Sequence, residues 1–235
     1  MEKRFLTIGD VPAILWGPSS DNLFIAVHGD QSHKTDDVMV IFAEEAVSKG
    51  YQVLGFDLPE HGERKEDSRL CKVQNCVEDL NKVMRYAHTL SNNVGLFGCS
   101  IGAYFSMLAY KDEQIEQALF LSPVVDMKRV IDDMMTWFDV SDERLEREQI
   151  VTTPVKTLYW DYYQYVLEHP VEWNKIPTAL LYGARDDICE FDDVKNFAER
   201  NCAKMTIAES GEHFFHTEQQ LVFLREWLHS SIAAK

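Results

Sequence analysis

Basic residues are scarce in this chain: 23 lysines and arginines stand against 39 aspartates and glutamates, for a formal net charge of -16 over 235 residues. No local run of Lys or Arg offsets the deficit, so phosphate backbones and anionic headgroups are repelled; neither nucleic acid nor a membrane surface is expected as a partner. Long apolar runs are missing as well. No segment reaches transmembrane length, and Met1-Glu2-Lys3-Arg4-Phe5 has neither the apolar stretch nor the small-residue cleavage site of a secretory leader. A cytoplasmic location is the expectation. The five cysteines (Cys71, Cys76, Cys99, Cys189, Cys202) are odd in number and form no Cys-x-x-Cys pair, which argues against a disulfide framework and against a zinc site. Idle or buried thiols are expected, with no metal and no cofactor.

What is present is ordinary globular material. A content of 46% hydrophobic and 26% charged residues fits one large core. Short apolar runs read as strands at 23–27, 52–56, 94–97, 118–121, 178–182 and 205–208. Most are continuously hydrophobic, as strands covered on both faces must be. Between them lie helical patterns such as Val38-Ile41-Phe42-Glu45-Ala46 and Val73-Val77-Leu80-Val83-Met84-Ala87. This alternation predicts an α/β fold with a mostly parallel, helix-covered sheet. Residues 4–8 and 13–16 flank Gly9-Asp10-Val11-Pro12, a turn-rich break that predicts an antiparallel hairpin at one edge.

From Pro123 to about Ile176 the rhythm changes. Acidic helices and an aromatic cluster (Trp137, Phe138, Tyr159, Trp160, Tyr162, Tyr163, Tyr165) replace strand-like runs, and Pro154 and Pro170 break the stretch into short pieces. The expected organisation is a core of residues 1–122 and 177–235 with 123–176 inserted as a small cap.

The strongest chemical signal is Val94-Gly95-Leu96-Phe97-Gly98-Cys99-Ser100-Ile101-Gly102, an apolar strand running into Gly-x-Ser-x-Gly and then into a helical pattern. This spacing describes a nucleophile elbow, whose tight turn projects the serine hydroxyl from the sheet edge. The plainer reading is a strand-to-helix turn with a capping serine. A serine hydroxyl needs a base, and the last strand is followed by Glu209-Ser210-Gly211-Glu212-His213-Phe214-Phe215-His216. His213 lies in the Gly-containing loop, whereas His216 abuts a helix start at Thr217, so His213 is the expected base. A carboxylate must orient the imidazole. Ala179 to Tyr182, Gly183 and then Asp186 supplies it, with Asp187 and Asp126 as alternatives.

Acyl transfer also needs donors for the developing oxyanion. The backbone N–H of Ile101, at the helix start, is one candidate; that of Asp30, in the loop after the strand ending at Val27, is the other. His28 is read as a brace for that loop. The Asp30 carboxylate has to face away, because a negative charge aimed at the oxyanion raises the barrier.

Four blocks in order, His28-Gly29, Gly55-Phe56-Asp57-Leu58-Pro59-Glu60-His61-Gly62, the elbow, and Asp186 followed by His213, resemble the α/β-hydrolase family over nearly the whole chain outside the cap. The resemblance implies that Asp57 and His61 are mainly structural. Glu60 departs from it by standing where Gly is frequent. It also implies hydrolysis of small or medium carboxylic esters through an acyl-Ser100 intermediate, lost on acidification as His213 is protonated. The aromatic-rich cap is similar to the lids of feruloyl esterases and monoacylglycerol lipases; its rings either line an acyl pocket or form the cap's own core. A serine nucleophile argues against epoxide hydrolases and haloalkane dehalogenases, which need a carboxylate there. The same groups would serve thioesters, carbon–carbon bond cleavage, peptides or acyl transfer, and a non-enzymatic receptor is the remaining alternative.

Overall fold

Side-chain alternation explains the unbroken apolar strands. In the computed structural model, which describes residues 1–173 and 176–235, Leu23, Ile25 and Val27 point to one face of strand β3 (Asn22–Val27), and Phe24 and Ala26 to the other. Both faces are covered. Helices α1 (Asp37–Ser48) and α8 (Glu218–Ser231) pack on the Phe24 side; α2 (Val73–Ala87), α3 (Ile101–Ala109) and α7 (Phe191–Arg200) pack on the Leu23 side. Phe42 of α1 stacks on Phe97 with ring centroids 4.0 Å apart. Burying each such ring contributes about 1.5–3 kcal/mol.

The eight-stranded sheet runs β1-β2-β4-β3-β5-β6-β9-β10. Strands β1 (Lys3–Ile8) and β2 (Val11–Trp16) form the antiparallel edge hairpin, and β2 pairs antiparallel with β4 (Gln52–Phe56). The turn is narrower than the sequence pattern implies. Val11 and Pro12 belong to β2: Pro12 lacks an N–H, but its carbonyl accepts from the Asp57 N–H at 3.0 Å, so the strand tolerates it. From β4 onward every pairing is parallel, through β5 (Asn93–Cys99), β6 (Ile115–Leu121), β9 (Thr178–Gly183) and β10 (Lys204–Ala208). Because β3 lies between β4 and β5, the chain reverses its winding there. Loops leaving the carboxyl ends of β3 and β5 therefore part to opposite faces and open a crevice, the usual ligand position in such sheets.

Between β6 and β9 come α4 (Met127–Trp137), α5 (Asp142–Glu148), α6 (Trp160–Glu168) and a feature not expected there, the antiparallel pair β7 (Ile150–Thr152) and β8 (Thr157–Tyr159). Three-residue strands are too short to leave a periodic signal. Their turn is closed by Thr153, whose hydroxyl accepts the N–H groups of Val155 and Lys156 and donates to the Lys156 carbonyl. Among the described residues no helix is long and apolar enough to cross a membrane.

Candidate active site

Ser100 sits between β5 and α3 with φ 50° and ψ -118°, outside the comfortable regions for a residue with a Cβ. Such a conformation costs on the order of 1–3 kcal/mol and persists because its surroundings fix it. The Ser100 N–H donates to the Leu121 carbonyl at 3.0 Å, tying the turn to the end of β6. The flanking glycines are required by space. A Cβ on Gly98 would stand 2.8 Å from the Ala103 Cα, and one on Gly102 would stand 2.5 Å from the Val27 carbonyl oxygen. The start of α3 is thereby pressed against the end of β3.

The turn aims Ser100 at His213. Ser100 Oγ is 2.8 Å from His213 Nε2, and His213 Nδ1 is 2.8 Å and 3.0 Å from the two Asp186 oxygens. The imidazole and carboxylate side chains are 1% and 0% exposed. With Nδ1–H donating to the carboxylate, Nε2 carries a lone pair toward the serine proton. Asp186 is itself held: its Oδ1 accepts the N–H groups of Ile188 at 2.9 Å and Cys189 at 2.8 Å. A bare Gly183 lets the segment leading to His213 approach β9, since a Cβ there would meet the Glu212 carbonyl oxygen at 2.6 Å.

The alternatives lie elsewhere. His216 is exposed, its Nδ1 donating to the Phe214 carbonyl, just ahead of the Thr217 capping box of α8. Asp187 is exposed, and Asp126 caps α4 by accepting from the Arg129 N–H.

The loop after β3 runs against the elbow, and a Cβ on Gly29 would be 3.3 Å from the Ser100 Cβ. This brings the Asp30 segment beside the serine, while Ile101 supplies a first-turn N–H, which has no acceptor within its own helix. His28 braces the loop. Its Nδ1 donates to the Gly29 carbonyl at 2.7 Å and its Nε2 accepts the Leu58 N–H at 3.0 Å, and burial lowers its pKa to about 4, keeping the ring neutral.

Asp30 is held by groups far from it in the chain. Its carboxylate is held by Lys156, from the β7–β8 turn, at 2.6 Å and by His61 Nε2 at 3.2 Å. Burial alone would raise this carboxyl, but His61 and Lys156 hold it well below the usual carboxylate range. Burial likewise opposes charge on His61, yet Asp30 and the neighbouring Cys71 sulfur push its pKa up to about 10, which favours the charged ring, while Nε2 also receives the Gln31 N–H at 3.1 Å. An acidic residue next to a candidate oxyanion site implies a compensating cation. No sequence pattern indicates that Lys156, 126 positions away, provides it.

Glu60 adopts φ 63°, the left-handed conformation for which Gly is suited, and its carboxylate accepts the Cys71 N–H at 2.6 Å. Asp57 is bound by the buried Lys34, as expected for a structural residue.

A cavity of about 170 Å³ opens at Ser100 and His213, with Gly29, Asp36, Asp37, Met39, Leu121 and Phe214 among its walls. The aromatic rings between residues 137 and 165 are absent from its lining. Tyr163 is buried in the same core cluster as Leu23, Leu96 and Leu180 of the sheet, with Trp160 and Tyr162 packed against that cluster, which favours core packing over an acyl pocket for these rings. A larger cavity of about 450 Å³, between α4, α6 and α7, shares no lining residue with the first.

For a metal, the one trio of close donors among the described residues is Asp186, Cys189 and His213. The fit is poor: burial raises the Cys189 thiol, disfavouring a thiolate ligand, and the other two already hydrogen-bond each other.

No known family profile matches the sequence, and no curated protein matches it significantly. Solved structures do. Est1E of Butyrivibrio proteoclasticus, with ferulic acid bound, superposes with a TM-score of 0.78 at 17% identity over 97% of this chain and 96% of its own. Mouse alpha/beta hydrolase domain-containing protein 10 gives a TM-score of 0.78 at 15% identity, covering 98% of each chain. An esterase of Pyrococcus furiosus gives 0.67 at 21% identity, over 97% of this chain and 87% of its own. Likeness of this extent and coverage, on the strand order described above, means that the chain has the α/β-hydrolase fold.

Proposed function

We propose that this protein is a serine hydrolase that cleaves small or medium carboxylic esters through an acyl-Ser100 intermediate. The observation that carries the reading is the relay from Ser100 Oγ to His213 Nε2 at 2.8 Å and from His213 Nδ1 to Asp186 at 2.8 Å, sheltered from solvent. His213 takes the Ser100 proton as Oγ attacks the ester carbonyl, then gives it to the departing alcohol. A water deprotonated by His213 attacks the acyl-enzyme, and Ser100 is regenerated. Asp186 stabilises the imidazolium without taking the proton. The N–H groups of Asp30 and Ile101 are assigned to the oxyanion, and Lys156 and His61 screen the Asp30 carboxylate so that the local field does not oppose that charge.

Residues 123–176 are assigned as a lid over the core formed by 1–122 and 177–235. The ion pair between Lys156 and Asp30 supports this, since it ties the β7–β8 turn to the loop beside the serine. A cavity of about 170 Å³ suits a short acyl group, and Asp36 and Asp37 on its wall disfavour anionic ones. Est1E was solved with ferulic acid, so esters of small aromatic acids belong beside aliphatic ones in a substrate screen.

The test is kcat/KM for p-nitrophenyl esters of increasing acyl length, an aryl-acid ester and matched acyl thioesters. Turnover of short uncharged esters, absent in Ser100→Ala, is expected. Turnover of thioesters alone would replace the ester assignment, and turnover of nothing in the panel would favour a receptor that kept the fold.

A further inference from the structure

Two of the five cysteines form a pair that no spacing rule indicates. Cys71 lies in the non-helical segment just before α2 and Cys76 lies in the first turns of that helix, with their sulfurs 3.7 Å apart. Cys76 is fully buried, whereas Cys71 retains partial exposure. The two sulfurs need to close from 3.7 Å to about 2 Å to bond, a movement for which the segment before α2 carries no helical constraint.

The surroundings favour charge on Cys71. Its sulfur is in hydrogen-bond contact with Cys76 and lies beside the His61 ring, with Lys156 also near; these outweigh burial and lower the Cys71 pKa to about 6. Cys76 is pushed the other way, by burial and by the charge on its partner. The remaining ionisable groups around the pair are the Glu60 carboxylate, which accepts the Cys71 N–H, and Tyr162, Asp79 and Arg64. Charge is therefore favoured on the sulfur of the partly exposed residue and a proton on that of the buried one, with the two in contact.

We propose that Cys71 and Cys76 form a hydroperoxide-reactive dithiol site, with Cys71 as the attacking sulfur and Cys76 as the resolving one. The Cys71 thiolate attacks one peroxide oxygen, the O–O bond breaks, and hydroxide leaves a sulfenic acid on Cys71. The Cys76 sulfur then attacks the Cys71 sulfur, the S–O bond breaks, and water departs with the Cys76 proton. The two sulfurs lose two electrons, and the peroxide gains them. Cys99 and Cys189 are raised by burial and Cys202 is exposed, so these three serve as internal references. The site does not depend on the role given to Ser100.

The test treats the intact protein with equimolar hydrogen peroxide at pH 7, blocks the remaining thiols and digests with trypsin. Cleavage after Arg69, Lys72 and Lys82 separates peptides 70–72 and 73–82, so an internal disulfide appears as these two peptides joined and lighter by two hydrogens. The joined species is expected before any oxidation of Cys202. In Cys76→Ser, a dimedone adduct on Cys71 is expected in its place. Limiting iodoacetamide should alkylate Cys71 with a half-maximal rate near pH 6. Unlinked peptides from wild-type protein whose Cys202 has already reacted would overturn the proposal, as would alkylation of Cys71 no faster than Cys202 at pH 7.

Discussion

Replacing Asp186 by Asn tests the relay with almost no change of shape. Asp186 Oδ1 accepts two backbone N–H groups, from Ile188 and Cys189, so the asparagine must keep its carbonyl oxygen there. Its NH2 group then falls where Oδ2 now lies, 2.8 Å from His213 Nδ1. Two donors cannot share that contact. Nδ1 also lies 3.0 Å from Oδ1, but a proton kept on it would press against the amide N–H 2.8 Å away, so the favoured arrangement has Nδ1 accepting from the amide, with the proton on Nε2 and no lone pair left to take the Ser100 proton. Inverting the tautomer of a buried catalytic histidine costs about 10⁴-fold in kcat, or about 5.5 kcal/mol. The assay is steady-state hydrolysis of the best p-nitrophenyl ester, with thermal unfolding as the control for folding. Asp187→Asn, at an exposed neighbour, is expected to stay within about twofold of wild type. An Asp186→Asn enzyme within tenfold of wild type would refute the tautomer argument, and equal losses at both positions would refute the assignment of the acid.

Three further outcomes are expected. Gly102→Ala normally gains about 1 kcal/mol of helix propensity, but the new methyl would stand 2.5 Å from the Val27 carbonyl oxygen, a backbone clash costing 1–3 kcal/mol or more; chemical denaturation should show net destabilisation, and a stabilised variant would contradict the close contact. Lys156→Met leaves the Asp30 charge less screened and should lower kcat by about 3- to 10-fold, a modest loss because the lysine is 49% exposed; adding Asp30→Asn should restore the rate, and no restoration would reject the electrostatic explanation. With its pKa raised to about 10, His61 contributes stability that is full below its ordinary value of 6.5 and lost as pH rises toward 10, whereas the lowered Asp30 loses its contribution only in acid, below its ordinary 3.8. The stability difference between wild type and Asp30→Asn should therefore shrink from pH 7 to 10 in urea titrations, and a constant difference would contradict a charged His61.

The legible parts of the chain were those in which one physical requirement acts on neighbouring residues. Strands β3, β4 and β5 were readable because burial on both faces leaves no room for polar positions. Ser100, Asp186 and His213 could be nominated separately because each lies just beyond a strand end, and the geometry brings the three together. The Lys156–Asp30 pair and the Cys71–Cys76 contact depend on how distant or irregular segments bend, which local spacing does not encode. The β7–β8 pair is too short for periodicity. The role of the aromatic rings between residues 137 and 165 is not legible in the sequence because aromatic content alone does not say which way a helix turns.

The most direct measurement is covalent labelling by a fluorophosphonate followed by peptide mapping. One equivalent should attach to Ser100, with labelling abolished in Ser100→Ala, slowed by orders of magnitude in His213→Ala and unchanged in His216→Ala. A folded wild-type protein that stays unlabelled at Ser100, or that labels equally fast without His213, would contradict the claim that these side chains form a working nucleophile and base.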